Sequence, residues 1–257
     1  MRLAVFSDIH GNRFALEAVL SAISKDGHFD ALVAAGDLAL GGSDPAGCID
    51  LLKEAHVLAV YGNTDKYLTE PENPPPDELH RKKWGRLRAQ VDWALSRLGP
   101  DRVAWLKTIP FELLFSPPPD FEDDLLIFHA NPKNIIDFIF PPPDQQPDYF
   151  EHIIQPDDDP NLAKLMKRVT ARTCAFGHLH ITSIRRWREY TLVNVAPCSL
   201  PSLEKDPRAR YTVFYWETGA WKITQKFVPY DYTLEVEALK SSGMPFVEDF
   251  VQTFIAK

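Results

Sequence analysis

Five short apolar runs in this chain each lead, within two residues, to a side chain that can bind a divalent cation. Uninterrupted apolar runs are typical of strands that are buried on both faces of a parallel sheet. Loops that follow parallel strands converge at one edge of the sheet, which is where open α/β folds bind ligands. The side chains after the runs are therefore predicted to meet. The runs lie at residues 3–6, 31–35, 57–61, 125–128 and 174–176.

Helical patterns alternate with these runs. Apolar residues between positions 16 and 23 recur with a helical period, and Asp44 followed by Pro45 marks the start of a second helix. Strands that alternate with helices predict a parallel sheet with right-handed crossovers. Further helices are predicted at about residues 77–98 and 161–169. Segments rich in Tyr, Trp, Val and Thr predict antiparallel strands at residues 181–187, 190–195, 211–216 and 221–228.

The composition is that of an ordinary globular chain. Its 257 residues are 45% apolar and 25% charged, which is enough to bury a core and argues against a disordered regulator. We see neither an internal repeat nor a linker, so we expect one domain over residues 1–257. Segments near 66–105 and 132–168 contain the proline-rich stretches. They are predicted insertions that either form rims of a cleft or act as passive connectors.

Charge and cysteine content bear on partners and compartment. The formal net charge of −8 makes nucleic acid an unexpected partner. The three cysteines lack metal-type pair spacing and cannot form an even disulfide framework, which favours a reducing compartment. The N-terminal residues lack the apolar region of a signal peptide, and no stretch approaches a membrane-spanning length. We therefore expect a cytoplasmic protein without a membrane partner, and an oligomer is compatible with the sequence.

The residues after the runs form a complete candidate ligand set for two metal ions. Two cations about 3.5 to 4 Å apart need a shared anionic ligand, and Asp37 is the natural bridge. Donors of the Asp, His and Asn types without thiolate favour Mn, Fe, Ni or Zn over Mg or Ca, and we favour Mn. One metal is predicted to bind Asp8, His10 and His180, and the other Asn63, His129 and His178.

Each of these residues also has an ordinary explanation. Asp8 or Asp37 could cap a helix, and His178 and His180 could be an exposed pair at the end of a strand. Because all seven positions carry a ligand type, a metal site is the favoured interpretation.

A metal pair of this kind lowers the pKa of a bridging water, and the resulting hydroxide can attack phosphorus in line. We therefore predict hydrolysis of phosphate esters. The predicted catalytic residues are Asp37, Asn63 and His10. Asn12 and Arg13 lie at the first turn of the first helix, where they could bind phosphate, and Lys133 lies close after His129. The predicted substrate-binding residues are Asn12, Arg13, Thr64 and Lys133.

In these motifs the chain resembles the calcineurin-like metallophosphoesterase family, whose pattern is D-x-H, GD, GNH[DE], H and GHxH in that order. The resemblance covers the whole length. Residues 193–199 and 206–209 look like the N-P-G-S and D-P-R-A segments of compact prokaryotic members, which include phosphodiesterases and enzymes that cleave dinucleoside polyphosphates. The fold implied by the resemblance is a four-layer αββα sandwich, with two mostly mixed β-sheets flanked by helices.

One position departs from the family pattern. Thr64 stands where the family has a histidine that is credited with protonating the leaving group or stabilising the transition state. A neutral hydroxyl is a poor general acid, so the hydrolysis of alkyl monoesters with basic leaving groups should be slowed most. We therefore expect a preference for phosphodiesters or phosphoanhydrides. A diadenosine polyphosphate, a cyclic nucleotide and a small phosphodiester all remain open as substrates.

The alternative is a protein-binding module on the same scaffold, with weak or no catalysis. The retromer's small subunit, a protein-interaction component, is similar to compact members of the family. A module freed from catalysis would tolerate the loss of a ligand, and no ligand is lost here. The complete ligand set therefore favours an enzyme, and Thr64 is the feature that points the other way.

Overall fold

Ten strands form two five-stranded sheets in the computed structural model, which describes residues 1–73, 84–117, 123–142, 145, 159–195, 197–200 and 206–255. In the first sheet the strand order is β10-β9-β1-β2-β3. The three strands from β1 to β3 are parallel, and β9 and β10 are antiparallel to their neighbours. These strands are β1 (Arg2–Phe6), β2 (Ala31–Ala35), β3 (Leu58–Val60), β9 (Ala209–Glu217) and β10 (Ala220–Val228).

The second sheet has the strand order β4-β5-β6-β8-β7. Its central strands β5, β6 and β8 are parallel, and the edge strands β4 and β7 are antiparallel to them. These strands are β4 (Glu112–Phe115), β5 (Leu125–Phe128), β6 (Thr173–Phe176), β7 (Ser183–Trp187) and β8 (Tyr190–Asn194). Both sheets are mixed, and each contains three adjacent parallel strands, which run to one edge of the first sheet and form the centre of the second.

Alternate side chains of the central strands point to opposite faces and build separate cores. Leu3 and Val5 of β1 pack against Ile127 of β5 in a core between the two sheets. Phe6 faces the other way, into a second core with the helices that cover the first sheet. A third core, which includes Phe128, lies under the helix on the outer face of the second sheet. The predicted four-layer αββα arrangement is therefore confirmed.

Seven helices accompany the sheets in the described residues. None of them combines the length and the apolar character that crossing a bilayer would require. They are α1 (Arg13–Lys25), α2 (Pro45–Glu54), α3 (Asn63–Thr69), α4 (Trp84–Leu106), α5 (Asp159–Leu165), α6 (Tyr232–Ser241) and α7 (Glu248–Ile255).

Local sequence signals explain where the first helices begin. The Asn12 side chain accepts a hydrogen bond from the Ala15 amide and caps α1. Asp44 caps α2 in the same way, with Pro45 at the first helical position, as the sequence predicts. Further along, α4 is interrupted at Gly99, which has a φ of 69° and precedes Pro100.

Some predicted elements differ from the observed ones. The helix predicted over 77–98 does end at the break at Gly99, and a second helical stretch that was not predicted follows it to Leu106. Residues 77–83 of this prediction lie outside the described residues, as do 143–144 and 146–158 of the second insertion. The helix predicted over 161–169 ends at Leu165. The prediction that β8 is antiparallel is wrong on one side, because β8 pairs in parallel with β6. The sequence analysis did not predict β4, α6 or α7.

Candidate metal centre

The loops after five strands bring all seven predicted ligands to one place. These loops continue the parallel pairing of the strands, since the amide of Asp8 donates to Gly36 O and that of His10 to Asp37 O. The two sheets are joined at the same point, because the Cys198 amide donates to Ser7 O. The strands that precede the ligands are β1 for Asp8 and His10, β2 for Asp37, β3 for Asn63, β5 for His129 and β6 for His178 and His180.

Candidate site A consists of Asp8, His10 and His180. The Nε2 atom of His180 lies 3.1 Å from Asp8 Oδ1 and 3.1 Å from His10 Nε2. One ligand atom of each residue lies within 4.8 Å of the other two. A carboxylate and two imidazoles therefore surround one point.

Candidate site B consists of Asp37, His129 and His178. One ligand atom of each of these residues lies within 4.8 Å of the other two. The Nε2 atom of His129 lies 3.5 Å from Asp37 Oδ1 and 3.1 Å from Asn63 Oδ1. The amide oxygen of Asn63 is thus in place to complete the site.

The Asp37 carboxylate lies between the two sites. Its Oδ2 atom is 3.6 Å from His10 Nε2 of site A, and its Oδ1 atom is 3.5 Å from His129 Nε2 of site B. One carboxylate facing two ligand groups is the arrangement that a bridging ligand requires.

Backbone carbonyls fix the tautomers of the four imidazoles. A carbonyl oxygen can only accept, so the ring nitrogen beside it carries the proton, and the other nitrogen of a neutral ring presents a lone pair. The Nδ1–Hs of His10, His129 and His180 donate in this way, which leaves their Nε2 atoms as acceptors. His178 donates from Nε2 to Ile136 O at 2.9 Å, which leaves its Nδ1 available.

The facing ligand atoms are all acceptors when the four rings are neutral. Buried acceptors that face one another repel unless a cation lies between them. Nitrogen and oxygen donors, with each ring held by a carbonyl on its far side, are the usual surroundings of divalent transition metals. The residues present therefore fit a pair of such ions.

The backbone at the site adopts a conformation that side-chain-bearing residues rarely use. Positive φ is uncommon outside glycine, and it costs of order 1 kcal/mol or more per residue where the surroundings impose it. Five of the seven ligands have it, with φ of 58° at Asp8, 49° at His10, 55° at Asp37, 69° at His178 and 57° at His180.

Two glycines allow the ligands to approach the backbone closely. A Cβ atom on Gly36 would lie 2.5 Å from the Nδ1 atom of His129, and one on Gly62 would collide with the carboxylate of Asp37. A side chain at either position would displace a ligand of site B, which explains glycine before Asp37 and before Asn63.

Asp65 is a site residue to which the sequence analysis gave no role. Its carboxylate accepts hydrogen bonds from the amides of Asp37, Leu38 and Gly62 at 2.8–3.0 Å. It is buried, and burial together with the neighbouring Asp37 raises its pKa to about 7. Asp65 therefore ties the loop after β2 to the start of α3. Its signal in the sequence is an acidic residue three positions after Gly62, which is capping-box spacing.

The sequence profile of the calcineurin-like phosphoesterase family matches residues 1–182, a range that contains all seven ligands. The chain belongs to this family. Membership indicates a phosphohydrolase that acts on phosphorylated substrates, and the family together with the two Asp and His groups implies divalent metals.

Solved structures show that the phosphoesterase fold extends over the whole chain. A metallophosphoesterase from Sphaerobacter thermophilus has a TM-score of 0.72 at 22% identity, with 100% of this chain and 98% of that chain covered. A hypothetical protein from Pyrococcus horikoshii OT3 has a TM-score of 0.76 at 18% identity, with 98% and 97% covered.

A curated relative is similar over a shorter span. An uncharacterized protein of Methanocaldococcus jannaschii is 29% identical over 142 residues, which are 54% of this chain and 54% of that protein. The match thus spans about half the length of that relative.

The acid groups of the phosphoesterase are held in their charged form. Burial raises the pKa of Asp8, but His180, His129 and His10 outweigh burial and hold that pKa below its ordinary value. Burial also raises the pKa of Asp37, but the charges of His129 and His10 outweigh burial and leave that pKa below its ordinary value. Both residues are therefore carboxylates at neutral pH.

The imidazoles respond to the same surroundings in different ways. Burial lowers the pKa of His10, and burial together with the neighbouring His129 lowers that of His178 to about 4. These rings are neutral at neutral pH and keep a lone pair for a metal. Burial also lowers the pKa of His180, but the Asp8 carboxylate outweighs burial and raises it.

Two of the predicted substrate-binding residues lie at the ligand cluster. The amide of Thr64 donates to Asp37 Oδ1 at 2.9 Å, and the Thr64 hydroxyl is buried without a hydrogen-bond partner among the described residues. The Nδ2 atom of Asn12 donates to Ser199 Oγ at 2.9 Å and to Tyr230 Oη at 3.2 Å. Because its oxygen caps α1, the Asn12 side chain is fully used within the protein.

The two cationic side chains that were predicted to bind substrate contact other groups of the protein instead. Arg13 is exposed and pairs with Glu17 at 2.7 Å and Asp44 at 3.4 Å. Lys133 is also exposed and donates to Lys167 O at 2.7 Å. Neither side chain joins the seven ligands in this structure.

Proposed function

We propose that this phosphoesterase is a two-metal hydrolase that cleaves phosphodiester or phosphoanhydride bonds. The observation that supports this proposal is the convergence of seven acceptor side chains, arranged as two groups that share one carboxylate. Asp8, His10 and His180 would hold one ion, and Asn63, His129 and His178 the other, with Asp37 between them. When bound, such a pair supplies Lewis acidity, which lowers the pKa of water toward neutrality and draws charge from phosphoryl oxygens.

The chain itself would contribute position and charge. Asp37 would hold the two halves of the centre at a fixed separation, because Thr64 N and the loop tied by Asp65 orient its carboxylate. Asn63, which lies beside His129, and His10, which lies beside Asp37, are the other proposed catalytic residues. Both residues are largely buried, at 5% exposure for Asn63 and 6% for His10.

Thr64 supports a preference among leaving groups. Its backbone amide donates to the Asp37 carboxylate, and its neutral hydroxyl cannot protonate a basic alkoxide effectively. Diesters with acidic leaving groups and phosphoanhydrides do not need that proton. We therefore propose a small phosphorylated substrate of nucleotide type, and Mn as the native metal.

The test begins with metal analysis of the purified protein and continues with a substrate panel in the presence of Mn²⁺. The panel contains bis-p-nitrophenyl phosphate, a diadenosine polyphosphate, a cyclic nucleotide and an alkyl monoester. We expect a diester or the polyphosphate to be hydrolysed fastest. Faster turnover of the alkyl monoester would contradict the leaving-group preference. A protein that carries metal but hydrolyses no substrate would contradict the enzymatic function and favour a protein-binding module.

A further inference from the structure

The two imidazoles of site A are held by carbonyls in loops that the C-terminal segment covers. We use this name for residues 230–255, which contain α6 and α7 and lie beyond the family match at residues 1–182. His10 Nδ1 donates to Leu40 O at 2.8 Å, and His180 Nδ1 donates to Leu200 O at 3.0 Å. The orientation of both rings therefore depends on where these two loops lie.

The loop that carries Leu40 is fixed by α6 and α7. The buried carboxylate of Glu235 accepts from Ser43 N at 2.8 Å and from Ser43 Oγ at 2.7 Å. The ring of Phe250 closes the other side, because a Cβ atom on Gly41 would lie 2.9 Å from Phe250 Cε1 and 3.5 Å from the His10 ring. Gly41 is thus held between Phe250 and the His10 imidazole.

The loop that carries Leu200 is fixed by packing. The Leu200 side chain is 6% exposed and belongs to the apolar core of the C-terminal segment, with Val236, Leu239 and Phe254. Leu200 has a φ of 55°, a conformation that a branched side chain adopts only when its surroundings impose it. The apolar contacts with α6 and α7 therefore act together with the backbone hydrogen bonds from Cys198 N to Ser7 O and from Ser199 N to Asp8 O in directing the Leu200 carbonyl at His180.

A third contact comes from the start of the C-terminal segment. The Tyr230 hydroxyl accepts from Asn12 Nδ2 at 3.2 Å, and the same amide group donates to Ser199 Oγ, next to Leu200. Asn12 also lies two residues after His10. This hydrogen-bond network joins the loop after β1 to the loop that carries Leu200.

The imidazoles of site B are held by a strand of the first sheet and by the loop after β5. His129 Nδ1 donates to Ala35 O in β2, and His178 Nε2 donates to Ile136 O. The loop that carries Ile136 is organised by buried Asn131, whose Oδ1 accepts from the amides of Lys133 and Asn134. None of these described partners belongs to the C-terminal segment.

We propose that the C-terminal segment is the positioning element of site A, and that it affects the metal affinity of site A more than that of site B. The inference rests on the proposed function, because it takes the seven residues as metal ligands. Groups that orient a ligand on its far side change metal affinity about 10- to 100-fold when they are removed. Loosening the segment should therefore empty site A first and leave site B loaded.

The test measures metal binding by the full chain with calorimetric titration and with cadmium NMR, in which each bound ion gives its own resonance. The Glu235→Ala variant leaves both Ser43 donors without their acceptor. We expect its site A affinity to fall about 10- to 100-fold, with one resonance lost and one kept. The resonance lost in His180→Ala identifies site A. Glu235→Gln, which keeps an acceptor for Ser43, should restore the second ion, and Glu237→Ala, at an exposed position of the same helix, is the matched control.

A reciprocal variant makes the test directional. Asn131→Ala should weaken site B and spare site A, because it loosens only the loop that carries Ile136. Ser43→Ala removes one of the two hydrogen bonds to Glu235. It serves as the test variant if Glu235→Ala does not fold. Two ions bound with unchanged affinity in these variants, or equal losses at both sites, would overturn the inference alone. A wild-type protein that binds no cadmium would overturn the proposed function and the inference together.

Discussion

The Nε2 atoms of His10 and His180 face each other at 3.1 Å, although both rings already donate their Nδ1–H to backbone carbonyls. When both rings are neutral, the two lone pairs at this separation repel, and without a metal His180 can relieve the repulsion only by taking up a proton, which the Asp8 carboxylate favours. A bound cation removes the repulsion and takes the place of that proton. We therefore expect chelation to lower the unfolding temperature. A metal present at 100 times its Kd contributes about 2.7 kcal/mol to the free energy of unfolding. Calorimetry with and without chelator measures the effect, and His180→Ala should reduce it. A transition that does not respond to the chelator would contradict this expectation.

Replacing Asp37 tests the bridging role. In Asp37→Asn one carboxylate oxygen becomes an amino group, which donates and cannot bind a cation, so one side of the shared ligand is lost. We expect loss of at least one metal and a fall in hydrolysis by orders of magnitude. Metal analysis and diesterase assays measure the two effects. Asp101→Asn, at an exposed position of α4, is the control for a changed charge. A variant that keeps both metals and its activity would exclude Asp37 as the bridge.

Asp65→Asn should act through stability as well as metal binding. The two Asp65 oxygens accept from three buried amides, and an asparagine has a single acceptor oxygen and turns an amino group toward the remaining donors. Each buried donor left unsatisfied costs about 1–3 kcal/mol. We expect the free energy of unfolding to fall by an amount in this range, measured by urea denaturation of the metal-free protein. An unchanged midpoint would mean that the loop is held by other contacts.

The fold and the convergence of the seven predicted ligands follow from the sequence for the same reason. Strands such as β1 and β5 are buried on both faces, so they are continuous apolar runs, and each ligand follows the end of such a run. The supporting contacts leave no comparable trace. The carbonyls of Leu40 and Leu200 hold two ligands, but a backbone carbonyl has no signature in the residue that carries it.

Helix α6 escapes prediction because its apolar pattern is inverted at one point. In α6 the carboxylate of Glu235 is buried at 1% exposure, whereas the preceding Leu234 is 44% exposed. A pattern that assigns Leu to the core and Glu to solvent therefore gives the wrong face. Arg13 and Lys133 are unpredictable for another reason, since long side chains reach several partners and only the surrounding structure selects among them.

Thr64→His tests the leaving-group preference. The hydrogen bond from residue 64 to Asp37 is made by the backbone amide, so the substitution should leave metal content unchanged. An imidazole at this position could protonate a basic leaving group, and general acid catalysis contributes about 10²- to 10⁴-fold. We expect alkyl monoester turnover to rise relative to diester turnover. Thr64→Ser, which keeps the hydroxyl, is the matched control, and unchanged substrate ratios in Thr64→His would show that this position does not set the preference.

Glu235 should make stability depend on pH in a direction opposite to that of most carboxylates. Burial raises its pKa to about 7 from an ordinary 4.5, with Asp44 adding to the rise and the Ser43 hydrogen bonds opposing it. The folded chain therefore keeps a proton that the unfolded chain releases. The stability that the protonated form provides is complete below pH 4.5 and is lost as the pH rises to about 7. The glutamine in Glu235→Gln stays neutral at every pH, so the variant does not lose this stability. Its free energy of unfolding should therefore rise relative to that of the wild type by up to about 3 kcal/mol across this window. Urea denaturation at several pH values, with chelator in both samples, measures the difference. A difference that is constant between pH 4.5 and 7 would show that Glu235 does not titrate there.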